Sequence, residues 1–377
     1  MEPLSLSTNP VQIIETPAAL QEAVAQLERE PRIAVDTESN SLYAYQEQVC
    51  LIQISIPSIN YLIDPLAVKD LSTLGPLFAG PNIEKIFHAA DYDLVGLSRD
   101  YGFSCAALFD TMWAARILGW PHVGLADVLA THFNVRVNKR FQRYDWGQRP
   151  LDADALRYAW MDSHYLIKLR DIQYQELVAK ERWEEAVEIF AYLSNAAAPH
   201  NNNHEDHFWR IKGVHDLNVP EQKILYQLYL WRETMAAKLN RPTVKIVSDN
   251  RLISLARIQP HHHEELYAAG LTSYQVQRFG SGLLKALHTK TQTLPSYPTQ
   301  ERPAQEMLER YNALKAWRKD VALGRGVDCD VILPNAALWD IARNRPTCPE
   351  DLLRVPGIGP WRQKTYGPAI LTLLSTL

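Results

Sequence analysis

The sequence predicts an α/β domain with a mixed sheet, followed by two small all-α domains. Two observations support this prediction: strand and helix patterns alternate in the first half, and a helical pattern occurs twice in the second. With 377 residues, 46% of them apolar, the chain is long enough for two or three domains. The predicted boundaries are residues 1–195, 210–292 and 303–377.

Runs of apolar and β-branched residues in the first domain predict strands at 32–37, 49–56, 60–64 and 85–88. The third follows the second after a short polar break, so we expect the first three to form an antiparallel meander. Apolar residues at helical spacing predict helices at 92–100, 111–118 and 154–170. Strands that first meander and then alternate with helices predict a mixed sheet covered by helices.

The second half contains an internal repeat. Residues 231–232 and 317–318 both read Trp-Arg, at an offset of 86 positions, and the same offset pairs several apolar residues and prolines further along. Such sustained matching predicts two copies of one helical domain. A polar stretch without periodicity, residues 196–204, predicts the first linker, and Pro295 and Pro298 mark a second break.

Composition limits the class of protein. No run of about 18 uncharged apolar residues is present, so no membrane span is predicted. The first residues lack the pattern of a secretion signal. The four cysteines form no CxxC pair, which argues against a disulfide framework or a zinc ribbon. A cytoplasmic protein is therefore expected, and a monomer is the default expectation for its oligomeric state.

The net charge of −4 is unevenly distributed. Residues 1–208 carry 16 Lys and Arg against 28 Asp and Glu, whereas residues 209–292 carry 12 against 6. An acidic first half could hold hard cations and a basic middle could hold phosphates, with ordinary solvated surface as the alternative interpretation.

Acidic residues stand where elements of the α/β domain are predicted to end. Asp36 and Glu38 close the first strand and, being two apart, project to the same face. Tyr158 and Asp162 are four apart on a helix and therefore share a face. Taken singly, each pair has an ordinary explanation as a polar turn or as a surface acid beside a core tyrosine.

A third acidic place is the junction from strand to helix at 88–94, where Asp91 and Asp93 could also be helix caps. Together, the three places can converge at one edge of a sheet. Carboxylate oxygens favour Mg²⁺ or Mn²⁺ over zinc. Two such ions about 4 Å apart can clamp the attacking and leaving oxygens of a phosphodiester. The sequence thus predicts a two-metal phosphodiester hydrolase.

The motifs DTE at 36–38, HAADYD at 88–93 and YAWMD at 158–162 resemble those of the DEDD exonucleases, tyrosine-containing subgroup. The nearest pattern is that of ribonuclease D. The helical repeat resembles the HRDC domain, which that family carries twice, so the resemblance runs nearly end to end. It implies an RNase H-like core and release of 5′-monophosphates from the 3′ end of RNA.

The resemblance also implies roles for the acids. Asp36 would bridge both metal ions, Glu38 and Asp162 would complete the site that activates water, and Asp93 would support the second metal. Asp93 is chosen over Asp91 because the family's acid precedes the first leucine-type residue of the helix.

Further contacts are expected from the same resemblance. Tyr158 would position the attacking water, since a phenol with an ordinary pKa of about 10 is a poor base. Residues 138–146 interleave cations with aromatic rings, which suits single-stranded nucleic acid. Arg143 and Trp146 are the candidate contacts there, with Trp146 tucked into the core as the alternative. His88 would lie near the reaction site.

Two motifs of the second half have competing interpretations. Residues 355–361 resemble a helix–hairpin–helix turn, whose glycines let backbone amides approach a phosphate, but such turns also simply pack two helices. The three histidines at 261–263 are predicted to be a solvated helix start rather than a metal site. The more basic first repeat is the predicted RNA-holding surface.

The leading hypothesis is an exonuclease that trims the single-stranded 3′ end of structured RNA such as tRNA precursors. A 3′→5′ DNA exonuclease is the alternative, because its metal chemistry is identical. A nucleic-acid-binding scaffold with a dead site is a third reading, against which the complete set of acids and Tyr158 argues. No GxxxxGK[ST] loop for ATP is present.

Overall fold

The computed structural model describes residues 9–137, 139–196, 207–289, 293–297 and 303–377. The chain divides into two compact units. Unit 1 comprises Met1–Ser39, Val49–Pro199 and Arg302–Leu377, and unit 2 comprises Asn40–Gln48 and His200–Glu301. The predicted first linker, Pro298 of the predicted second break and Asn138 of the basic stretch lie outside the described residues, apart from Ala196, which ends a helix.

A six-stranded mixed sheet forms the centre of unit 1. Its strands are β1 Val11–Ile14, β2 Arg32–Ser39, β3 Val49–Ser55, β4 Asn60–Ile63, β5 Glu84–Phe87 and β6 Leu108–Asp110. Across the sheet they run in the order β1-β4-β3-β2-β5-β6. The antiparallel meander of β2, β3 and β4 is confirmed, while β1, β5 and β6 add parallel pairs.

Helices alternate with the later strands, as the α/β prediction requires. They are α1 Pro17–Leu27, α2 Gly75–Ala79, α3 Asp91–Tyr101, α4 Thr111–Leu118, α5 Leu125–Phe133, α6 Ala153–His164, α7 Leu166–Ala179 and α8 Trp183–Ala196. The single helix predicted over 154–170 is two helices, α6 and α7, which meet at Tyr165. Among the described residues, no helix is both long and apolar enough to cross a membrane.

Strand β2 carries the first acidic motif past the end of its neighbour. Its buried residues Ile33, Ala34 and Val35 anchor it in the core. Pairing with β5 stops at Ala34, whereas pairing with β3 continues to Ser39. The last residues of β2 are therefore paired with a neighbouring strand on one side only, and this leaves room for other groups beside Asp36.

The helical repeat appears in both units with matching bounds. In unit 2 it consists of α9 Val219–Leu239, α10 Thr243–Ile246, α11 Asp249–Ile258 and α12 Ser273–Leu287. In unit 1 it consists of α13 Gln305–Arg325, α14 Cys329–Ile332, α15 Asn335–Asn344, α16 Pro349–Leu352 and α17 Pro360–Ser375. The first three helices of the two copies coincide residue for residue at the offset of 86.

The arginine of the Trp-Arg signature has the same structural role in each copy. Arg232 donates to the Val247 carbonyl at 3.1 Å and to Asp249 at 2.6 Å. Its counterpart Arg318 donates to the carbonyl of Leu333 at 2.6 Å and to Asn335 at 2.7 Å. Both side chains are buried, so the signature holds the helical domain together from inside.

The glycine-rich turn before α17 has an internal anionic partner. The Glu188 carboxylate, on α8, accepts hydrogen bonds from the backbone N–H groups of Trp361 at 2.7 Å and Arg362 at 3.2 Å. A Cβ on Gly359 would lie 2.5 Å from Glu188, so only glycine permits this approach. Of the two interpretations of the turn, these contacts favour packing between helices.

Candidate active site

Three of the predicted acids come together at the end of β2. The carboxylates of Asp36 and Glu38, from β2, and of Asp162, from α6, offer oxygen atoms that all lie within 4.8 Å of one another. Among the described residues, no other group of three acids, histidines or cysteines is brought this close. Asp36 and Glu38 are partly exposed and Asp162 is buried.

Asp93 joins this group through Thr37. One Asp93 carboxylate oxygen accepts hydrogen bonds from the Thr37 backbone N–H at 3.0 Å and from the Thr37 hydroxyl at 2.5 Å. Asp93 is 7% exposed, whereas the side chain of Asp91 is exposed. The geometry therefore favours Asp93 over Asp91 as the acid of this motif. Sequence reasoning did not identify Thr37, whose position between two acids was the available signal.

The clustered acids raise one another's pKa. Burial raises the pKa of Asp36 and Glu38 well above their ordinary values, and the neighbouring carboxylates add to this. Burial also raises the pKa of Asp93 and that of Asp162 to about 7. The four carboxylates repel one another when they are charged. A bound cation is therefore needed before all four can be ionised near neutral pH.

Tyr158 shares the face of α6 that carries Asp162. Its phenol hydrogen-bonds to the Asp162 carboxylate. Burial and the surrounding acids raise the pKa of Tyr158 far above that of a free phenol. Burial and the neighbouring carboxylates thus favour the protonated phenol, which suits its hydrogen bond to the Asp162 carboxylate.

Asp36, Glu38 and Asp162 line a cleft of about 550 Å³, to which His88 also contributes. The imidazole Nδ1 lies 2.9 Å from the Thr111 hydroxyl, which donates to the Phe87 carbonyl at 2.9 Å. Burial lowers the pKa of His88 to about 4, against a weaker opposing effect of a backbone group of Val123. The ring is therefore neutral at pH 7 and can offer a hydrogen bond but not a positive charge.

Trp146 lies in the core, which corrects the expectation that its ring stacks on a base. It is 2% exposed and belongs to an apolar cluster with Phe141 and Ala159. Its ring centroid lies 6.3 Å from that of Tyr158, and the Phe141 ring lies 5.5 Å from the same residue. The alternative interpretation of Trp146 holds: it supports Tyr158 from behind. Arg143, by contrast, is exposed at the end of a 3₁₀ turn, Lys139–Arg143.

Comparisons with known proteins agree with this geometry. A family model described as a 3′-5′ exonuclease matches residues 11–177, and the HRDC domain model matches residues 221–287 and 307–374. These matches define a 3′-5′ exonuclease with two HRDC domains. A ribonuclease D from Haemophilus influenzae is 30% identical over 278 residues, covering 73% of this chain and 69% of that protein. The chain belongs to the ribonuclease D family and is a 3′-5′ exoribonuclease.

Two further similarities extend the comparison. Protein RRP6-like 3 of Arabidopsis thaliana is 33% identical over 278 residues, 67% of this chain but 31% of that protein, so the chain spans about a third of its length. The crystal structure of Escherichia coli RNase D, an exoribonuclease involved in structured RNA processing, matches with a TM-score of 0.71 and 25% identity. The match covers 97% of this chain and 99% of that one, and the predicted fold class is confirmed.

Proposed function

We propose that this exoribonuclease hydrolyses RNA from the 3′ end with two divalent cations held by the carboxylates of Asp36, Glu38, Asp93 and Asp162. The observation that carries the proposal is the approach of three carboxylates within 4.8 Å of one another in the lining of one cleft. Without a cation, this arrangement opposes ionisation of every member. Because all ligand atoms are oxygens, Mg²⁺ and Mn²⁺ fit the set.

Bound divalent cations supply the Lewis-acid chemistry that hydrolysis of a phosphodiester requires. The chain's own groups then orient the reactants. Thr37 holds Asp93 beside the β2 acids through two hydrogen bonds. Tyr158 donates its hydroxyl proton to the Asp162 carboxylate, and its oxygen would then accept a hydrogen bond from the attacking water and orient it. Phe141 and Trp146 keep the phenol ring in this orientation.

The substrate we propose is the single-stranded 3′ end of structured RNA, such as a tRNA precursor. The match to E. coli RNase D over nearly the whole chain supports this substrate class. His88 lines the cleft and offers a neutral polar contact, and exposed Arg143 offers a phosphate contact. The first HRDC domain is basic, with 12 Lys and Arg against 6 acids over residues 209–292.

We also propose that the protein is a monomer. Light scattering, which measures the molar mass in solution, tests this proposal.

The test uses a structured RNA with a single-stranded 3′ extension and a DNA of matched sequence. Each is incubated with Mg²⁺, Mn²⁺ or EDTA, and products are resolved at single-nucleotide length. We expect metal-dependent shortening of the RNA from the 3′ end, with release of 5′-monophosphates. Asp93→Asn should abolish it, while Asp91→Asn, an exposed acid on the same helical turn, should retain wild-type activity.

Each other outcome has a clear meaning. Faster shortening of the DNA would replace the RNA assignment by a DNA exonuclease. Binding of RNA without shortening of either substrate would favour the scaffold. If Asp91→Asn lost activity and Asp93→Asn kept it, the assignment of the second acidic motif would be reversed. A wild-type rate in EDTA would refute the metal-dependent mechanism.

A further inference from the structure

Asp110 connects the starts of two helices. One of its carboxylate oxygens caps α4, accepting hydrogen bonds from the backbone N–H groups of Met112 and Trp113, each at 2.9 Å. The same oxygen accepts from the Ala89 N–H at 3.3 Å, and the other oxygen accepts from the Ala90 N–H at 2.7 Å. Asp110 is completely buried, and these four N–H groups donate hydrogen bonds to its carboxylate.

The segment that Asp110 holds leads directly into the second acidic motif. Ala90 is the N-cap residue of α3, and its methyl side chain cannot accept a hydrogen bond. Ala89 has φ of +66°, a left-handed conformation that residues with a Cβ adopt at a cost. Asp93 lies in the first turn of this helix. The carboxylate of Asp110 therefore fixes the strained entry to α3 from outside the helix.

Thr111 holds the other end of the same segment. Its hydroxyl donates to the carbonyl of Phe87, the last residue of β5, at 2.9 Å. With its proton so engaged, the hydroxyl accepts from Nδ1 of His88 at 2.9 Å. The Asp110–Thr111 pair thus fixes the segment between β5 and α3 at four consecutive residues, from Phe87 to Ala90.

An acid is required at position 110 for a reason that helix capping alone does not supply. A single oxygen already serves α4, and asparagine caps helices as well as aspartate does. The second oxygen serves Ala90. In an asparagine this second group would be an NH₂ facing an N–H, and two donors cannot form a hydrogen bond.

We propose that Asp110 and Thr111 are positioning residues that set Asp93 and His88 in place for metal binding and hydrolysis. The inference rests on the proposed function, since it concerns the same site. Both residues are buried and do not line the cleft, so Asp110 acts through the start of α3 and Thr111 acts through the imidazole of His88.

The experiment compares Asp110→Asn, Thr111→Val and Thr16→Ala with the wild type. Thr16→Ala removes an N-cap hydrogen bond of α1, Ala19 N–H to the Thr16 hydroxyl at 3.3 Å, and is the control for a cap lost elsewhere. Metal affinity is measured without substrate, from the rise of Tm with Mn²⁺ concentration above an EDTA baseline. kcat and KM are then measured on the extended RNA.

We expect Asp110→Asn to weaken Mn²⁺ binding about tenfold and to lower kcat about tenfold, the size of effect typical of residues that orient metal ligands. KM for RNA should stay within about twofold. Thr111→Val should lower kcat with less change in metal affinity. Thr16→Ala should lower Tm equally with and without Mn²⁺ and leave the metal titration at its wild-type midpoint.

A purely structural role for Asp110 would look different. Asp110→Asn would then lower Tm by the same amount at every Mn²⁺ concentration and keep the wild-type midpoint and kcat, and this result would overturn the proposal. If Asp110→Asn does not fold, Thr111→Val decides, and a wild-type kcat in that variant counts against it. Metal binding by a wild-type protein without nuclease activity would refute the proposed function but not this inference.

Discussion

Asp93 accepts two hydrogen bonds from Thr37, the residue between Asp36 and Glu38. The second acidic motif is thereby tied to the first through a residue that carries no charge. This relationship fixes the spacing between β2 and α3 before any cation binds, and it makes the threonine hydroxyl a testable part of the site.

Thr37→Val should separate the two motifs without changing their charge. The variant keeps the backbone N–H contact to Asp93 and loses the hydroxyl contact. Because a hydrogen bond to a charged group contributes about 1.5–3 kcal/mol, we expect weaker metal binding and about tenfold lower kcat. Isothermal titration with Mn²⁺ and steady-state kinetics measure both. Thr37→Ser, which retains the hydroxyl, is the matched control, and equal activity of the two variants would contradict the prediction.

The metal-free protein should lose stability as pH rises from about 4 to about 7. Asp93 and Asp162 have a pKa of about 7 in the folded state, against roughly 3.9 when unfolded. Between these values the folded state holds protons that the unfolded state has released, so the free energy of unfolding falls with rising pH. We expect the free energy of unfolding to decrease progressively over this pH range, measured by urea unfolding in EDTA.

The same titration has two internal controls. Saturating Mn²⁺ should remove most of the pH dependence, because the cations compensate the charges that repel one another. Asp93→Asn in EDTA should be more stable than the wild type at pH 8. A flat stability profile for the metal-free wild type would mean that the acids do not interact as their proximity implies.

Tyr158→Phe should affect the rate more than binding. The phenol donates a hydrogen bond and keeps its proton, so its removal takes away an orienting contact but no base. We expect kcat about 10²-fold lower with KM nearly unchanged. The wild-type pH–rate profile should have no limb from a tyrosine ionising below pH 10. An alkaline limb that is lost in Tyr158→Phe would instead indicate a general base.

Substitution of Trp146 should affect stability, whereas substitution of Arg143 should affect RNA binding, although both residues belong to one sequence motif. Trp146→Ala removes a buried ring and should cost about 3–5 kcal/mol in unfolding free energy. Arg143→Ala should leave stability within about 0.5 kcal/mol and raise KM for RNA, with a weaker dependence of KM on salt. Urea unfolding and kinetics at two salt concentrations measure these effects. A stable Trp146→Ala variant with raised KM would restore the stacking role.

Glu188→Ala should loosen the second HRDC domain. The change removes the acceptor for two backbone N–H groups and leaves buried Arg362, 3.7 Å from the same carboxylate, without its anion. We expect a loss of about 2–4 kcal/mol in unfolding free energy. Glu184→Ala, one turn earlier on α8 and also beside the turn, is the control. Equal stability of the two variants would show that the turn has no need of its carboxylate.

The helical repeat could be predicted from the sequence because its helices follow from local residue patterns, and the same pattern occurs in two segments of the chain. Matching positions at one offset gave α9–α11 and α13–α15 in register. The strands β1 and β6 were not predicted, since both are short strands at the edges of the sheet, where pairing with a neighbouring strand rather than the local sequence pattern defines them. The break at Tyr165 was missed for a related reason: apolar spacing continues across it from α6 into α7.

The acids of the site could be predicted because a carboxylate is a metal ligand wherever it lies in the fold. The residues that position these acids could not be predicted, because their contacts depend on the tertiary structure. An aspartate before a helix identifies Asp110 as a cap, but nothing local indicates that its second oxygen reaches Ala90. Likewise, cations interleaved with rings describe an RNA-binding loop and a folded loop equally well, and only the burial of Trp146 distinguishes them.

The two HRDC copies keep one internal clamp and differ in what they present outside. Arg232 and Arg318 each stabilise their own copy through buried hydrogen bonds. Surface residues of each copy can therefore change with little effect on its fold. The first copy is rich in Lys and Arg, whereas the second copy contacts the Glu188 carboxylate of α8. A duplicated domain stabilised in this way allows the two copies to specialise. The surface of the first copy can change, while the second copy packs within the same unit as the exonuclease domain.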